Sequence, residues 1–245
     1  IGAGIIPAGM EMMDRPAIHA AEDFVHAGYP LDVEALLIVE LDGAQVECDH
    51  LLEQVSAIAT ANGASNLRVS RDEAERLRIW AGRKAAFPAV GRISPDYYCM
   101  DGTIPRHRLP EVLHRMAELS RKYALRVANV FHAGDGNLHP LVLYDANQPG
   151  ELERAEEFGA DILRLCVAVG GVLTGEHGVG VEKRDLMPEM FSATDLEQQQ
   201  RLKCAFDPEL LLNPGKVFPT LHRCAELGRM HVRGGVLPHP ELPRF

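Results

Sequence analysis

Two short, glycine-punctuated segments gather the side chains that do chemistry in enzymes. The first is His132-Ala133-Gly134-Asp135-Gly136-Asn137-Leu138-His139, with two imidazoles seven residues apart on either side of a tight turn. That spacing can bring both rings onto one small volume, and neutral imidazole is the commonest transition-metal ligand. The second is Gly175-Glu176-His177-Gly178-Val179-Gly180, whose glycines permit close backbone approaches around an adjacent carboxylate and imidazole. Glu176 would complete a His/His/carboxylate ligand set with open positions for substrate, leaving His177 for proton transfer. A plainer alternative stays open for each loop. Gly134–Asn137 can be a simple hairpin turn in which Asp135 and Asn137 bond locally, and GEHGVG a connection following Gly170-Gly171. Two such loops in one chain weigh toward a site, because buried His and Glu without a function are costly to satisfy.

Other polar residues are candidates at lower weight. Arg83 lies one helical turn beyond Trp80, where its guanidinium suits a bidentate carboxylate clamp; an ion pair with Asp72, Glu73 or Glu75 fits equally well. Within Asp207–Pro219 (DPELLLNPGKVFP), Asn213 and Lys216 offer polar handles in what otherwise reads as a terminal strap. Met10, Met12 and Met13 read as core or interface filler, and Cys99 and Cys166 as small buried apolar groups. Nucleotide-loop patterns fail. Gly2-Ala3-Gly4 lacks the third glycine of GxGxxG, and Gly175 to Gly180 has P-loop spacing with Val181 in place of the lysine. An HExxH motif is absent, which sets aside a zincin-type metalloprotease.

The elements that must position these residues alternate between short and long. Ala35–Leu41 reads as a strand ending at Asp42-Gly43. A helix follows through about Cys48–Ala61, carried by Leu51, Leu52, Val55, Ile58 and Ala59 and stopped by Asn62-Gly63. Asn66–Ser70 is expected as a second strand, and Asp72 opens a helix that carries Leu77, Trp80 and Arg83 and ends near Pro88. Tyr97–Ile104 is a further strand, and Pro110 begins a helix with Val112, Leu113, Met116 and Leu119 inward. Arg126–Phe131 and Leu138–Tyr144 flank the first polar loop as an antiparallel pair, with Pro140 implying an edge or irregular position. Helices over Leu152–Val169 and Asp195–Phe206 precede the strap. The hairpin and prolines argue against a doubly wound parallel sheet. The expected class is α+β, an antiparallel or mixed sheet with helices packed mainly on one face.

Charge narrows the partners. With 25 Lys and Arg against 35 Asp and Glu, the net charge of −10 repels a phosphate backbone, so nucleic acid is not an expected partner. No apolar run approaches the roughly 18 residues a membrane span requires. The five cysteines are scattered without a CxxC pair, which excludes a four-cysteine cluster within the chain and suggests reduced thiols in a cytoplasmic setting. Ile1 follows no Met or leader-like segment, and the expectation is one piece of a longer polypeptide.

HAGDGNLHP at 132–140, GGVLTGEHGVGVEK at 170–183 and DPELLLNPGKVFP at 207–219 closely resemble the C-terminal domain of FAD-linked 2-hydroxyacid dehydrogenases, in the vanillyl-alcohol-oxidase-like flavoprotein superfamily. Within that group, EMMDRPAIHAAEDFVHAGYP at 11–30, WAGRKAAFPAVGRISPDYYCMDGTIPR at 80–106 and TLHRCAELG at 220–228 resemble the FAD-containing subunits of glycolate dehydrogenases, also called glycolate oxidases. The resemblance implies a substrate and cap domain over residues 1–219, a C-terminal extension over 220–245, and an N-terminal FAD-binding domain absent from this chain. It implies His132, His139 and Glu176 as ligands of a divalent metal (zinc, manganese or iron), His177 as general base and Arg83 as the holder of the substrate carboxylate. Asn213 falls where the family's strap returns toward the flavin. Cys99 and Leu141 stand where relatives acting on dicarboxylic substrates use polar or cationic residues, which favours a short 2-hydroxyacid such as glycolate or D-lactate.

The implied chemistry is oxidation to the 2-oxoacid. The hydroxyl proton is removed while hydride leaves C2 for the flavin, with Arg83 supplying orientation. Electrons would pass to iron–sulfur and second flavoprotein-like subunits of a glycolate oxidase complex. The setting would be cytoplasmic, with partners placing the complex against the inner face of the cytoplasmic membrane. Two readings from other classes compete: a metal-dependent hydrolase using the same ligands with activated water, and a noncatalytic assembly subunit. The fragment alone is expected to be inactive.

Overall fold

The computed structural model describes residues 1–219, which fall into two compact units, Ile1–Gly171 and the segment from Val172 onward. The expected extension over 220–245, with its TLHRCAELG motif, lies outside the described residues. In the first unit the chain runs β1 (Gly9–Asp14), α1 (Arg15–Val25), β2 (Ala35–Glu40), α2 (Gln45–Ala61), α3 (Glu73–Val90), β3 (Asp96–Cys99), α4 (Leu109–Tyr123), β4 (Val127–His132), β5 (Pro140–Tyr144) and α5 (Glu151–Ala168). The second unit holds α6 (Met187–Met190) and α7 (Ala193–Phe206), the latter opened by a Ser192/Asp195 capping box.

The strands form one sheet in the order β2-β1-β4-β5-β3, antiparallel at every pairing. The expected α+β class with an antiparallel sheet is what the chain adopts, and the helices cover both of its faces. Strand side chains alternate, so Met12, Phe131 and Val142 point one way, into a core with Val112 and Met116 of α4 and Phe158, Ile162 and Cys166 of α5. Met13, Ala128, Val130, Leu141 and Leu143 point the other way, against Ala17, Ile18 and Ala21 of α1 and Ala86, Ala89 and Val90 of α3. Small residues let α1 and α3 lie close to the strands. Gly82 of α3 is required there, since a Cβ would stand 2.5 Å from the Tyr29 ring.

Several elements depart from expectation for local reasons. Asn66–Ser70 forms no strand; Arg68 instead bonds Glu75 and the Gly28 carbonyl, so side chains rather than a ladder hold the segment. The strand expected over Tyr97–Ile104 stops at Cys99, and the following residues cross the first polar loop, with Leu138 donating to the Gly102 carbonyl and Ile104 to that of Gly136. α3 continues past Pro88 to Val90, because a proline so near the helix end removes a single bond. Pro140 lies on an interior strand, not an edge. It is tolerated as the first residue of β5, where it faces Asn129 and its carbonyl accepts from Met100. The methionines read as filler belong to β1, the strand between β2 and β4.

Candidate functional site

The site of the first unit is built around one carboxylate. Glu11 of β1 stands opposite His132 of β4 in the antiparallel register. Its Oε1 accepts from His132 Nδ1 at 2.7 Å, and its Oε2 accepts from Arg83 Nε at 2.9 Å and Nη2 at 2.8 Å. Glu11 and Arg83 side chains are each only 10% exposed. A charge buried to that degree is tolerable only when paired and hydrogen-bonded, and here both carboxylate oxygens are engaged by donors. A carboxylate can only accept, so His132 carries a proton on Nδ1, and in the neutral ring the lone pair is then on Nε2. Arg83 therefore does not pair with Asp72, Glu73 or Glu75. Glu75 is taken by Arg68 and Arg71, and Glu73 by Arg76.

His139 lies next to His132, the ring centroids 5.3 Å apart and the planes at 84°. A ligand nitrogen of one lies within 4.8 Å of a ligand nitrogen of the other. Two imidazoles held by one tetrahedral cation at the usual ~2.1 Å have centroids roughly 5 Å apart, so the pair fits a divalent metal in spacing and donor type. Asp101, fully buried, also brings a carboxylate oxygen within 4.8 Å of a His139 ring nitrogen. Phe87 of α3 packs edge-on against His139.

The loop between the histidines is more than a hairpin turn. Gly136 has φ +85, and a Cβ there would sit 2.3 Å from the Ile104 carbonyl oxygen, so the backbone can make this approach only with glycine. Asp135 accepts from the Asn137 N–H at 2.9 Å, and Asn137 Oδ1 accepts from Thr103 Oγ1 at 3.3 Å. Asn137 Nδ2 is a buried donor without a hydrogen bond, beside the two imidazoles in sequence. A cleft of about 440 Å³ opens at this place, lined among others by Met10, Glu11, Arg106, His132 and Asp135. Arg106 donates to the Gly134 carbonyl and so ties the rim of the cleft to the loop.

The second unit holds the other predicted residues. Glu176 and His177 are exposed on the glycine loop, with Gly178 at φ 81 and Gly180 at φ 57. The strap returns to that loop, Val217 donating to the Gly180 carbonyl at 2.8 Å, and Arg184 donates to Gly215. Asn213 has φ 46 and its Oδ1 accepts from Lys216 Nζ at 3.3 Å. Thus His132, His139 and Arg83 are gathered within one unit, and Glu176, His177 and Asn213 belong to the other. Cys99 and Leu141, the two positions read as favouring a short substrate, are direct cross-strand neighbours. Cys48, Cys99 and Cys166 form no disulfide, but Cys204 is disulfide-bonded, which corrects the expectation of reduced thiols there.

Sequence reasoning missed Glu11, Asp101 and Arg106, and gave Asn137 a turn role alone. For Glu11 a signal was present: a lone carboxylate inside the otherwise apolar run Gly-Met-Glu-Met-Met of a buried strand demands a partner.

Comparison with known proteins gives four matches. The family model "FAD linked oxidases, C-terminal domain" matches residues 1–217. Glycolate oxidase subunit GlcD of Escherichia coli K12 is 62% identical over 245 residues, covering 100% of this chain and 49% of that protein. A probable mitochondrial D-lactate dehydrogenase of Danio rerio is 33% identical, over 88% of this chain and 44% of its own length. The chain thus spans about half the length of the curated relatives it matches. In fold, it is similar to 4-ethylphenol oxidase from Gulosibacter chungangensis, with TM-score 0.60 at 15% identity, over 89% of this chain and 49% of that one.

Proposed function

This chain belongs to the FAD-linked oxidase C-terminal domain family, and from that premise we propose that it is the substrate-side half of a FAD-dependent dehydrogenase oxidising glycolate or D-lactate to the 2-oxoacid. The observation that carries the substrate class is its whole-chain likeness to a glycolate oxidase subunit. Membership of an oxidase family moves the reading from activated water to redox chemistry, and so away from a hydrolase. In this proposal residues 1–219 form the substrate and cap domain, 220–245 an extension, and FAD is bound mainly by a further N-terminal domain.

His132 and His139 would hold a divalent cation of the zinc, manganese or iron type through ring nitrogens. Glu176 as a further ligand, His177 as proton acceptor and Asn213 beside the flavin enter the proposal from the family motifs alone. When bound, the cation supplies Lewis acidity that makes the substrate hydroxyl a stronger acid, and FAD supplies the hydride acceptor. Arg83 would bind the substrate carboxylate. Its Nε–H and one Nη2–H are committed to Glu11, so it would use the outward N–H groups of Nη1 and Nη2, and the buried Glu11 contact fixes the guanidinium in place. His177 would take the hydroxyl proton as C2 gives up hydride. Cys99 and Leu141 would leave no polar partner for a second carboxylate, which suits a short substrate.

The name of the similar subunit implies an assembly, and we propose iron–sulfur and second flavoprotein-like subunits as the electron-accepting partners. No helix among the described residues is long and apolar enough to cross a membrane. Our proposal places the complex in the cytoplasm, with any membrane contact made through those partners.

The test is anaerobic flavin bleaching of the full-length protein by glycolate and D-lactate, with metal analysis of the same sample. The expected result is bleaching by a short 2-hydroxyacid that is lost in His132→Ala and His177→Ala. Wild-type rates of flavin reduction in either variant would overturn the assigned roles.

A further inference from the structure

Glu11 bridges a residue proposed to bind metal and one proposed to bind substrate, and neither role by itself explains why a single buried carboxylate serves both. We propose that Glu11 is the positioning residue of this site. It fixes His132 as the Nδ1–H form so that Nε2 is offered to a divalent cation, while Arg83 holds the carboxylate in place. This rests on the reading of His132 as a metal ligand given above.

The geometry supports a division of labour between the two oxygens. Oε1 receives the single imidazole bond at 2.7 Å, a charge-assisted length, and Oε2 receives both guanidinium bonds at 2.8 and 2.9 Å. A carboxylate with a free rotor would gain nothing from burial; this one is pinned at Oε2 and therefore aims Oε1. It is also held by the sheet, since Glu11 and His132 are register partners on adjacent antiparallel strands. Metal-bound histidines commonly donate their other ring N–H to a carboxylate, which fixes the tautomer and raises ligand basicity. Glu11 stands where such a carboxylate is needed. Its charge is paired with Arg83.

Glutamine at this position separates the idea from simple packing. Its amide has nearly the same shape but one acceptor end and one donor end, whereas both neighbours are donors. One contact must then become N–H against H–N. With Arg83 present, the carbonyl is drawn to the two guanidinium bonds and His132 is left facing the NH₂ group. Removing the guanidinium frees the carbonyl to turn to His132.

The experiment uses chelator-stripped full-length protein titrated with Mn²⁺, with free Mn²⁺ read by electron paramagnetic resonance, and Zn²⁺ competition as a second probe. Wild type is expected to take up one cation per chain. Glu11→Gln is expected to weaken the apparent Kd by about 10- to 100-fold, as loss of a partner behind a metal ligand does. The double variant E11Q/R83M is expected to regain part of that loss, an outcome a merely structural role would not give. Where E11Q does not accumulate as folded protein, Glu11→Asp replaces it, since the shorter arm cannot reach both donors and the same weakening is expected. An E11Q or E11D affinity within two-fold of wild type overturns the role of Glu11 while leaving the metal site standing. Further weakening in the double variant overturns it in favour of packing. Absence of Mn²⁺ and Zn²⁺ uptake by wild type overturns the metal reading and this role together, and flavin bleaching by glycolate then shows whether the redox proposal survives.

Discussion

Asp14 gives the sharpest test of the electrostatics around the sheet. It ends β1 and caps α1, its Oδ1 accepting from Ala17 N at 3.2 Å and its Oδ2 from Asn129 Nδ2 at 2.8 Å. Both bonds favour the ionised form, but desolvation by burial outweighs them and raises the carboxyl from 3.8 to about 6. In the unfolded chain Asp14 titrates near its ordinary value. Between the two pKa values the folded state therefore holds a proton that the unfolded state has released, and stability falls as pH rises. The contribution is fully present below about pH 4 and lost by the time pH has passed 6. At roughly 1.4 kcal/mol per unit, the shift amounts to about 3 kcal/mol. Asp14→Asn keeps an acceptor for the cap and buries no charge, but gives up one acceptor for Asn129 at a cost of about 1 kcal/mol. The variant is expected to be more stable than wild type by about 2 kcal/mol at pH 7.5 and less stable by about 1 kcal/mol near pH 4. Urea unfolding of both full-length proteins across that range measures it, because other titrating groups cancel in the difference. A wild-type-to-variant difference that stays flat within about 0.5 kcal/mol from pH 4 to 7.5 would refute the reasoning.

Two further perturbations bear on positioning. Gly136→Ala should destabilise by about 2–4 kcal/mol, since it sets a Cβ 2.3 Å from the Ile104 carbonyl oxygen at φ +85, and flavin reduction by glycolate should fall with it; thermal unfolding and wild-type-like reduction rates are the checks in either direction. Glu75, held by Arg71 and Arg68, has its carboxyl lowered from 4.5 to about 2. Its stabilisation is present above pH 4.5 and lost as pH falls toward 2, so Glu75→Gln should lower the unfolding midpoint at pH 7 and converge with wild type in strong acid.

What the sequence made legible follows from the range over which each feature is determined. α5 was readable because its apolar spacing is local, and the antiparallel pair around the HAGDGNLH loop because turn residues sit between two β-rich runs. β1 was not, since a six-residue run rich in methionine carries little β-propensity and becomes a strand only through β2 and β4 on either side. The Asn66–Ser70 segment failed in the opposite sense. Its composition suits a strand, but Arg68 finds a buried carboxylate seven residues on, and no ladder is offered to it. Helices on both faces were hidden for a related reason: the end of α3 buries alanines, whose pattern is faint although their packing is tight.

The candidate site divides along the same line. His132 and His139 are close in sequence and were read together, whereas the partners that decide what they can do lie far away, Glu11 at a separation of 121 residues from His132 and 72 from Arg83. Such a relation is written in strand register, which no local pattern reports. Register also sets its precision. Glu11 and His132 are fixed by backbone pairing of adjacent strands, and Arg83 by a helix whose neighbouring residues are packed alanines, so no member of the trio depends on a loop for its position. The Gly136 loop has then only to bring His139 back to the rigid pair. A loop that must hit one point tolerates few substitutions, and the glycine's contact with Ile104 and the Asn137 bonds are what hold this one to its course.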